Sequence, residues 1–156
     1  MTVPNSSRIL IIGYGNPARR DDGIGPCLAD SLPVDVPGVS VRSQHSVMIE
    51  DAATAAAFDV VIFVDASISA PEPFLFERVS PEPAAAASSH HVSPELIIHL
   101  AETMYAANLT GYLLAVRGYE FDGYGEQLSP RAIENMEAAR DFLLTQLSER
   151  RFSAKS

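Results

Sequence analysis

The apolar run Ile9-Leu10-Ile11-Ile12 stops at Gly13, and the stretch that follows constrains the fold more than any other. Gly13-Tyr14-Gly15-Asn16 is a glycine-rich turn, Asp21 and Asp22 are adjacent carboxylates, and Gly23-Ile24-Gly25-Pro26 leads into an apolar segment. This order predicts a buried strand, a polar loop at its C-terminal end, and a helix starting near Gly25-Pro26, because proline suits the first helical position. In open α/β sheets ligands bind at that edge. The loop brings acids there. A dinucleotide site would want a short loop with bare backbone N–H groups at the helix N-terminus.

The rest of the chain fits the same class. Val39-Ser40-Val41-Arg42-Ser43 alternates with period two and predicts a second strand, half buried or at an edge. An alanine-rich stretch over Ile49–Phe58 predicts a short helix. Val60-Val61-Ile62-Phe63-Val64 is β-branched or aromatic throughout and ends on Asp65-Ala66-Ser67. A carboxylate at the tip of a buried strand is costly unless something pairs with it. Phe74–Val79 predicts a fourth strand, and Tyr112–Val116 a fifth. Ser93-Pro94-Glu95 and Ser129-Pro130 both read as helix starts, with serine as N-cap and proline next. Leu96, Ile97, Leu100, Ala101 and Met104 give the first of these helices one apolar face. Ile133, Met136, Ala139, Leu143 and Leu147 give the second its stripe. Between Val79 and Ser93 the proline-, alanine- and serine-rich stretch 80–89 predicts a flexible loop that delivers His90 and His91 to the next helix. The expectation is one α/β domain over 1–156: three layers, α/β/α, with a mostly parallel five-stranded sheet and helices on both faces. Residues 1–7 and 149–156 are expected to fray.

Length and charge narrow the function. A chain of 156 residues suits one domain with a real core. Twenty acidic residues against eleven basic ones give a net charge of −9, a surface that repels nucleic acid and anionic lipid, so neither is expected as a partner. No apolar run approaches the ~18 residues of a membrane span, and the N-terminus has no signal-peptide core. The one cysteine, Cys27, permits no intrachain disulfide and fits a cytoplasmic setting. Cys27 is expected to be inert core in the first helix. His45 and His99 are expected to be structural.

In this fold Asp21 or Asp22 follows the first strand, Asp65 ends the third, and His90 or His91 precedes the third helix. Two carboxylates and an imidazole meeting at one edge would leave an open position on a metal, and the oxygen and nitrogen donors suit zinc, nickel, manganese or iron. The plainer readings are that the aspartates cap turns and the histidines lie on the surface. A dinucleotide reading of Gly13-Tyr14-Gly15, with Ala18 in the third glycine place, meets a loop that is long and acidic, and a second strand ending on Ser43-Gln44 without an acid for a ribose.

The motif G-x-G-N-x-x-x-x-D-D-G-x-G over Gly13–Gly25 resembles the opening motif of the hydrogenase maturation endopeptidases. Residues 61–67, residues 89–96 (Ser-His-His-Val-Ser-Pro-Glu-Leu) and residues 125–130 (Gly-Glu-Gln-Leu-Ser-Pro) resemble further segments of that family in the same order. The resemblance implies a protease that removes the C-terminal extension from the precursor of a NiFe-hydrogenase large subunit after nickel insertion. It implies Asp22, Asp65 and His90 as the metal-contacting and catalytic residues, with His91 the fallback for His90. The metal is then nickel carried by the substrate, or another divalent ion such as zinc. Ser43-Gln44-His45-Ser46 departs from the Asp-Gly-Gly-Thr that some members carry after strand two, and Gln44 is closer to the branch that processes soluble, cofactor-reducing hydrogenases. Asp21 is expected to cap or support, with general base as its other reading. Asn16 orients the loop or binds substrate, and Arg19 and Arg20 are expected to be solvated. A monomer and a cytoplasmic location are expected. A metal-dependent maturation chaperone without a peptidase step is the alternative.

Overall fold

The computed structural model describes residues 1–83 and 92–152. Five strands, β1 (Ile9–Tyr14), β2 (Val39–Gln44), β3 (Val60–Ser67), β4 (Phe74–Val79) and β5 (Thr110–Arg117), form one sheet in the order β2-β1-β3-β5-β4. β2, β1, β3 and β5 are parallel, and β4 joins β5 antiparallel at the edge. The antiparallel partner follows from the short β3–β4 connection, which has no room for a crossover helix. Among the described residues there are four α-helices, α1 (Ile24–Asp30), α2 (Asp51–Ala55), α3 (Pro94–Tyr105) and α4 (Pro130–Glu149), with a 3-10 turn over Arg20–Gly23 before α1.

Alternation along the strands divides the core in two. Ile9, Ile11, Val60, Ile62, Val64, Leu114 and Val116 face α1 and α4, while Leu10, Ile12, Val61 and Phe63 face α2 and α3. Both faces of the central strands are therefore apolar, which is why β1 and β3 read as unbroken hydrophobic runs. β2, at the sheet edge, exposes Ser40 and Arg42 and half-buries Val39 and Val41, as period two requires.

Several side chains sit differently from expectation. Cys27 is exposed: α1 buries Ile24, Gly25, Leu28 and Ala29, and Cys27 lies off that stripe. The buried stripe of α4 runs through Ala132, Asn135, Ala139, Leu143, Gln146 and Leu147, which turns Ile133 outward at 39% exposure. Met104, in the last turn of α3, is also exposed, and Ile98 takes its place in the core. The ends do not fray as far as Phe152. The Phe152 ring is fully buried and packs near Tyr112, its amide donates to the Met1 carbonyl at 2.7 Å, and Arg150 donates from its guanidinium to the carbonyls of Ser7 and Pro37. The last four residues, the 84–89 part of the proline–alanine loop, His90 and His91 lie outside the described residues. Among the described residues no helix is long and apolar enough to cross a membrane.

Candidate functional site

β1 lies between β2 and β3, and the chain leaves it by α1 on one face of the sheet but reaches β3 from α2 on the other. The C-terminal ends of β1 and β3 therefore open onto a crevice between connections that diverge. Glycines bring α1 hard against these ends. A Cβ on Gly25 would lie 2.3 Å from the Tyr14 carbonyl oxygen and 2.6 Å from that of Val64. Gly15 has φ +143°, and a Cβ there would lie 2.1 Å from the Asp22 carbonyl, so the loop folds back onto its own start.

That return positions Asp22. The Asn16 amide donates to Asp22 Oδ2 at 2.9 Å, and Asn16 Oδ1 accepts from the Ala18 amide at 3.0 Å. Asn16 thus shapes the loop with its side chain and holds the acid with its backbone. The same contact weighs against a phosphate site, since an amide that a phosphate would use is taken by a carboxylate.

Asp65 stands where β3 passes the end of β1: Gly13 pairs with Val64, the last register pair of β1 with β3. β3 continues through Ser67 because β5 stays paired with it to Arg117. The Asp65 carboxyl is half buried and pushed up to about 6, first by desolvation and further by the charge of Asp22, while a hydrogen-bonding interaction with the Tyr14 hydroxyl and one with the Ala66 amide pull it back. Burial and Asp65 together raise the Tyr14 phenol above its ordinary value. Two carboxylates in one partly desolvated crevice resist sharing a full negative charge, and a cation between them would relieve both. The donor set so far suits a hard or borderline divalent ion.

Tyr14, Gly15, Asp22 and Asp65 line one open groove of about 590 Å³. Its other wall is the β2–α2 connection, from His45 to Glu50, with Val92 at the α3 side. Of the predicted trio, Asp22 and Asp65 are brought together, and His90, with its fallback His91, lies outside the described residues. Among the described residues no three His, Cys, Asp or Glu side chains are grouped closely enough to hold a metal. His45, expected to be structural, lines the groove instead and is exposed. Tyr14 is the other residue that the motif alone does not reveal, because it occupies the free position between two glycines. Its place at the end of a strand beside Asp65's strand is the only sequence clue to its role.

Asp21 faces away from the groove and is fully buried. Its carboxylate accepts four hydrogen bonds: from the amides of Tyr119 and Glu120 at 2.8 Å each, and from the Ser129 amide at 2.8 Å and hydroxyl at 2.7 Å. Burial pushes this carboxyl up, but the hydrogen bonds win and it lies below the usual carboxylate range. Through these bonds Asp21 ties the β5–α4 loop to the β1–α1 loop. Of the two arginines, Arg19 is exposed, as expected, while Arg20 is partly buried and paired. Arg20 donates to the Gln127 carbonyl at 3.0 Å and to Glu120 at 2.8 Å, and its amide donates to Gly125. Arg19 reaches the Phe121 carbonyl at 3.5 Å. Asp22 is therefore mounted on a loop laced along its length to a second loop.

The geometry has counterparts among solved structures. A NiFe hydrogenase maturation protease, HycI, from Thermococcus kodakarensis is 26% identical with a TM-score of 0.69, covering 91% of this chain and 93% of that one. A hydrogenase 2 maturation peptidase from a Thaumarchaeota archaeon is 21% identical with a TM-score of 0.64, over 90% and 98%. The hydrogenase maturating endopeptidase HybD from E. coli is 23% identical with a TM-score of 0.62, over 94% and 96%. The latter two share the fold. No protein-family model matches the chain, and no curated protein matches it in sequence.

Proposed function

We infer that this chain, which belongs to the hydrogenase maturation proteases, removes the C-terminal extension from the precursor of a NiFe-hydrogenase large subunit after nickel has been inserted. The observation that carries the reading is that Asp22, on the β1–α1 connection, and Asp65, near the C-terminal end of β3, line one groove. The sequence has no H-E-x-x-H segment, and among the described residues no cysteine lines the groove, since Cys27 lies in α1 outside it.

The roles follow from what each residue can do. Asp22, fixed by the Asn16 amide, presents its carboxylate to the groove. Asp65, steadied by Tyr14, presents the second. His90 is the third contact. Together they meet the nickel of the precursor, so an empty precursor lacks the charge that makes two neighbouring carboxylates a favourable docking place. Asp22 and Asp65 would hold a divalent metal there, and such a metal would supply Lewis-acid polarisation of the scissile carbonyl or a water.

The test uses nickel-loaded and nickel-free precursor and reads intact mass. Loss of the extension from the loaded form alone is expected. No loss from either form overturns the protease reading and favours a maturation chaperone. Cleavage of nickel-free precursor after addition of zinc assigns the metal to the enzyme. His90→Ala is expected to abolish cleavage, and full activity in that variant moves the role to His91.

A further inference from the structure

We propose that Met48 and Ile49 form a specificity subsite that takes an aliphatic side chain flanking the scissile bond of the substrate. The proposal rests on the protease reading and adds to it what the groove selects. Both side chains line the groove opposite Asp22 and Asp65, and both are more than half exposed, Met48 at 53% and Ile49 at 57%. Single exposed apolar residues are ordinary, but two in succession on the wall of a concave site are what a ligand contact looks like.

The wall is built to hold them there. Val47, immediately before, is buried in the core against α2 and α3. Asp51 is 4% exposed, and its Oδ2 accepts from the Met48 amide at 2.8 Å and from Gln44 Nε2 at 2.9 Å. Gln44 Nε2 also donates to the Ser46 carbonyl at 3.1 Å, and the Gln44 backbone carbonyl accepts from the Gly15 amide at 3.1 Å. The Met48 and Ile49 carbonyls accept from the amides of Asp51 and Ala52. The backbone of both residues is engaged while both stay more than half exposed among the described residues, so the platform is preorganised.

Charge fixes the occupant. One wall is aliphatic and the other carries carboxylates, so the groove fits an extended peptide whose cationic centre sits at Asp22 and Asp65 and whose neighbouring side chain is apolar. An acidic residue at that neighbouring position is rejected by the same carboxylates, and a small polar one leaves Met48 and Ile49 in water.

The experiment is cleavage of the nickel-loaded, full-length precursor with each residue flanking the scissile bond changed in turn to Leu, Ser or Asp. Wild type is expected to favour Leu over Asp at one flanking position by about tenfold or more in kcat/KM, the scale on which apolar pockets discriminate. The Met48→Ala/Ile49→Ala variant is expected to raise KM with a smaller change in kcat and to lose that preference. Ile49→Lys is expected to shift the ranking toward Asp. Melting curves of the variants identify any that fail to fold, and the single Met48→Ala and Ile49→Ala changes, which leave the backbone bonds intact, then serve. Unchanged KM and unchanged ranking in folded variants overturn the subsite while leaving the protease reading standing. Absence of cleavage by wild type overturns both.

Discussion

The Asp21 carboxylate is bonded twice by Ser129, through its hydroxyl at 2.7 Å and its amide at 2.8 Å, so an aspartate at the end of the first loop holds the residue that starts the last helix. Two more amides, from Tyr119 and Glu120, complete the ring of donors. The neighbouring residue is Asp22, so the position of a groove carboxylate depends on a contact made 108 residues away in sequence. Asp21→Asn keeps the shape but turns an NH2 group toward donors and removes the charge. A loss of about 3 kcal/mol in unfolding free energy is expected, the scale for breaking several charge-assisted bonds in a buried site. Urea denaturation measures it. Ser129→Ala is expected to cost less, because the Ser129 amide bond survives.

The same carboxylate gives the protein an acid-sensitive contact. Its folded-state value lies below that of the unfolded chain, so its contribution is complete above the ordinary aspartate value of about 3.9 and is lost as pH falls through the lower folded value. Wild type is therefore expected to lose stability below about pH 4 more steeply than Asp21→Asn does, and the two denaturation midpoints should converge in acid. Parallel pH profiles for the two proteins would remove Asp21 from this role.

Gly25→Ala tests how tightly α1 is seated. The new methyl would meet the Tyr14 and Val64 carbonyl oxygens and the Tyr14 amide nitrogen, all backbone atoms at the tips of β1 and β3 that cannot rotate away. Helix propensity alone would favour alanine by about 1 kcal/mol. Overpacking against backbone is expected to reverse that sign, with a net loss of about 2 kcal/mol or more and reduced cleavage, since Tyr14 and Asp65 move with the strands. A gain in melting temperature would show that α1 has room to shift.

What was legible in the sequence follows from periodicity. The strands of a sheet covered on both faces are continuous apolar runs, so β1 and β3 and their terminal loops could be placed, and Asp22 and Asp65 with them. The register of α4 was hidden because two of its buried positions, Asn135 and Gln146, are polar: Asn135 is inward because it donates to the Arg117 carbonyl and to Tyr119. Reading only apolar letters then selected Ile133, about 100° off the true face. His45 was missed because strand ends mark only one side of a crevice, and the facing wall belongs to a loop whose course is set by Asp51 and Gln44.

Cys27 offers a direct check on the orientation of α1. It is exposed, so the native protein should be modified to completion by a maleimide without denaturant. Partial desolvation and the charge of Asp30 raise its thiol above the ordinary value. Labelling should therefore be slower than for a free cysteine peptide at neutral pH and should accelerate with alkalinity. Labelling only after unfolding would put Cys27 back in the core.

Asp65 is expected to set stability against the proposed cleavage. Its carboxyl is pushed up to about 6, because desolvation and the Asp22 charge outweigh the hydrogen bonds from Tyr14 and the Ala66 amide. A folded value above the unfolded one means that the protonated acid favours the folded state. This contribution is complete below about pH 3.9 and is lost as pH rises through about 6, leaving the fold less stable at neutral pH by about 3 kcal/mol. Asp65→Asn removes the buried charge and keeps an oxygen to accept from Tyr14. The metal-free variant is therefore expected to melt higher than wild type at pH 7.5, with the difference vanishing toward pH 4, and to fail to cleave precursor. A variant that is both more stable and inactive marks a carboxylate held for a cation and not for the fold. A less stable variant would show instead that Asp65 is a structural cap at the end of β3.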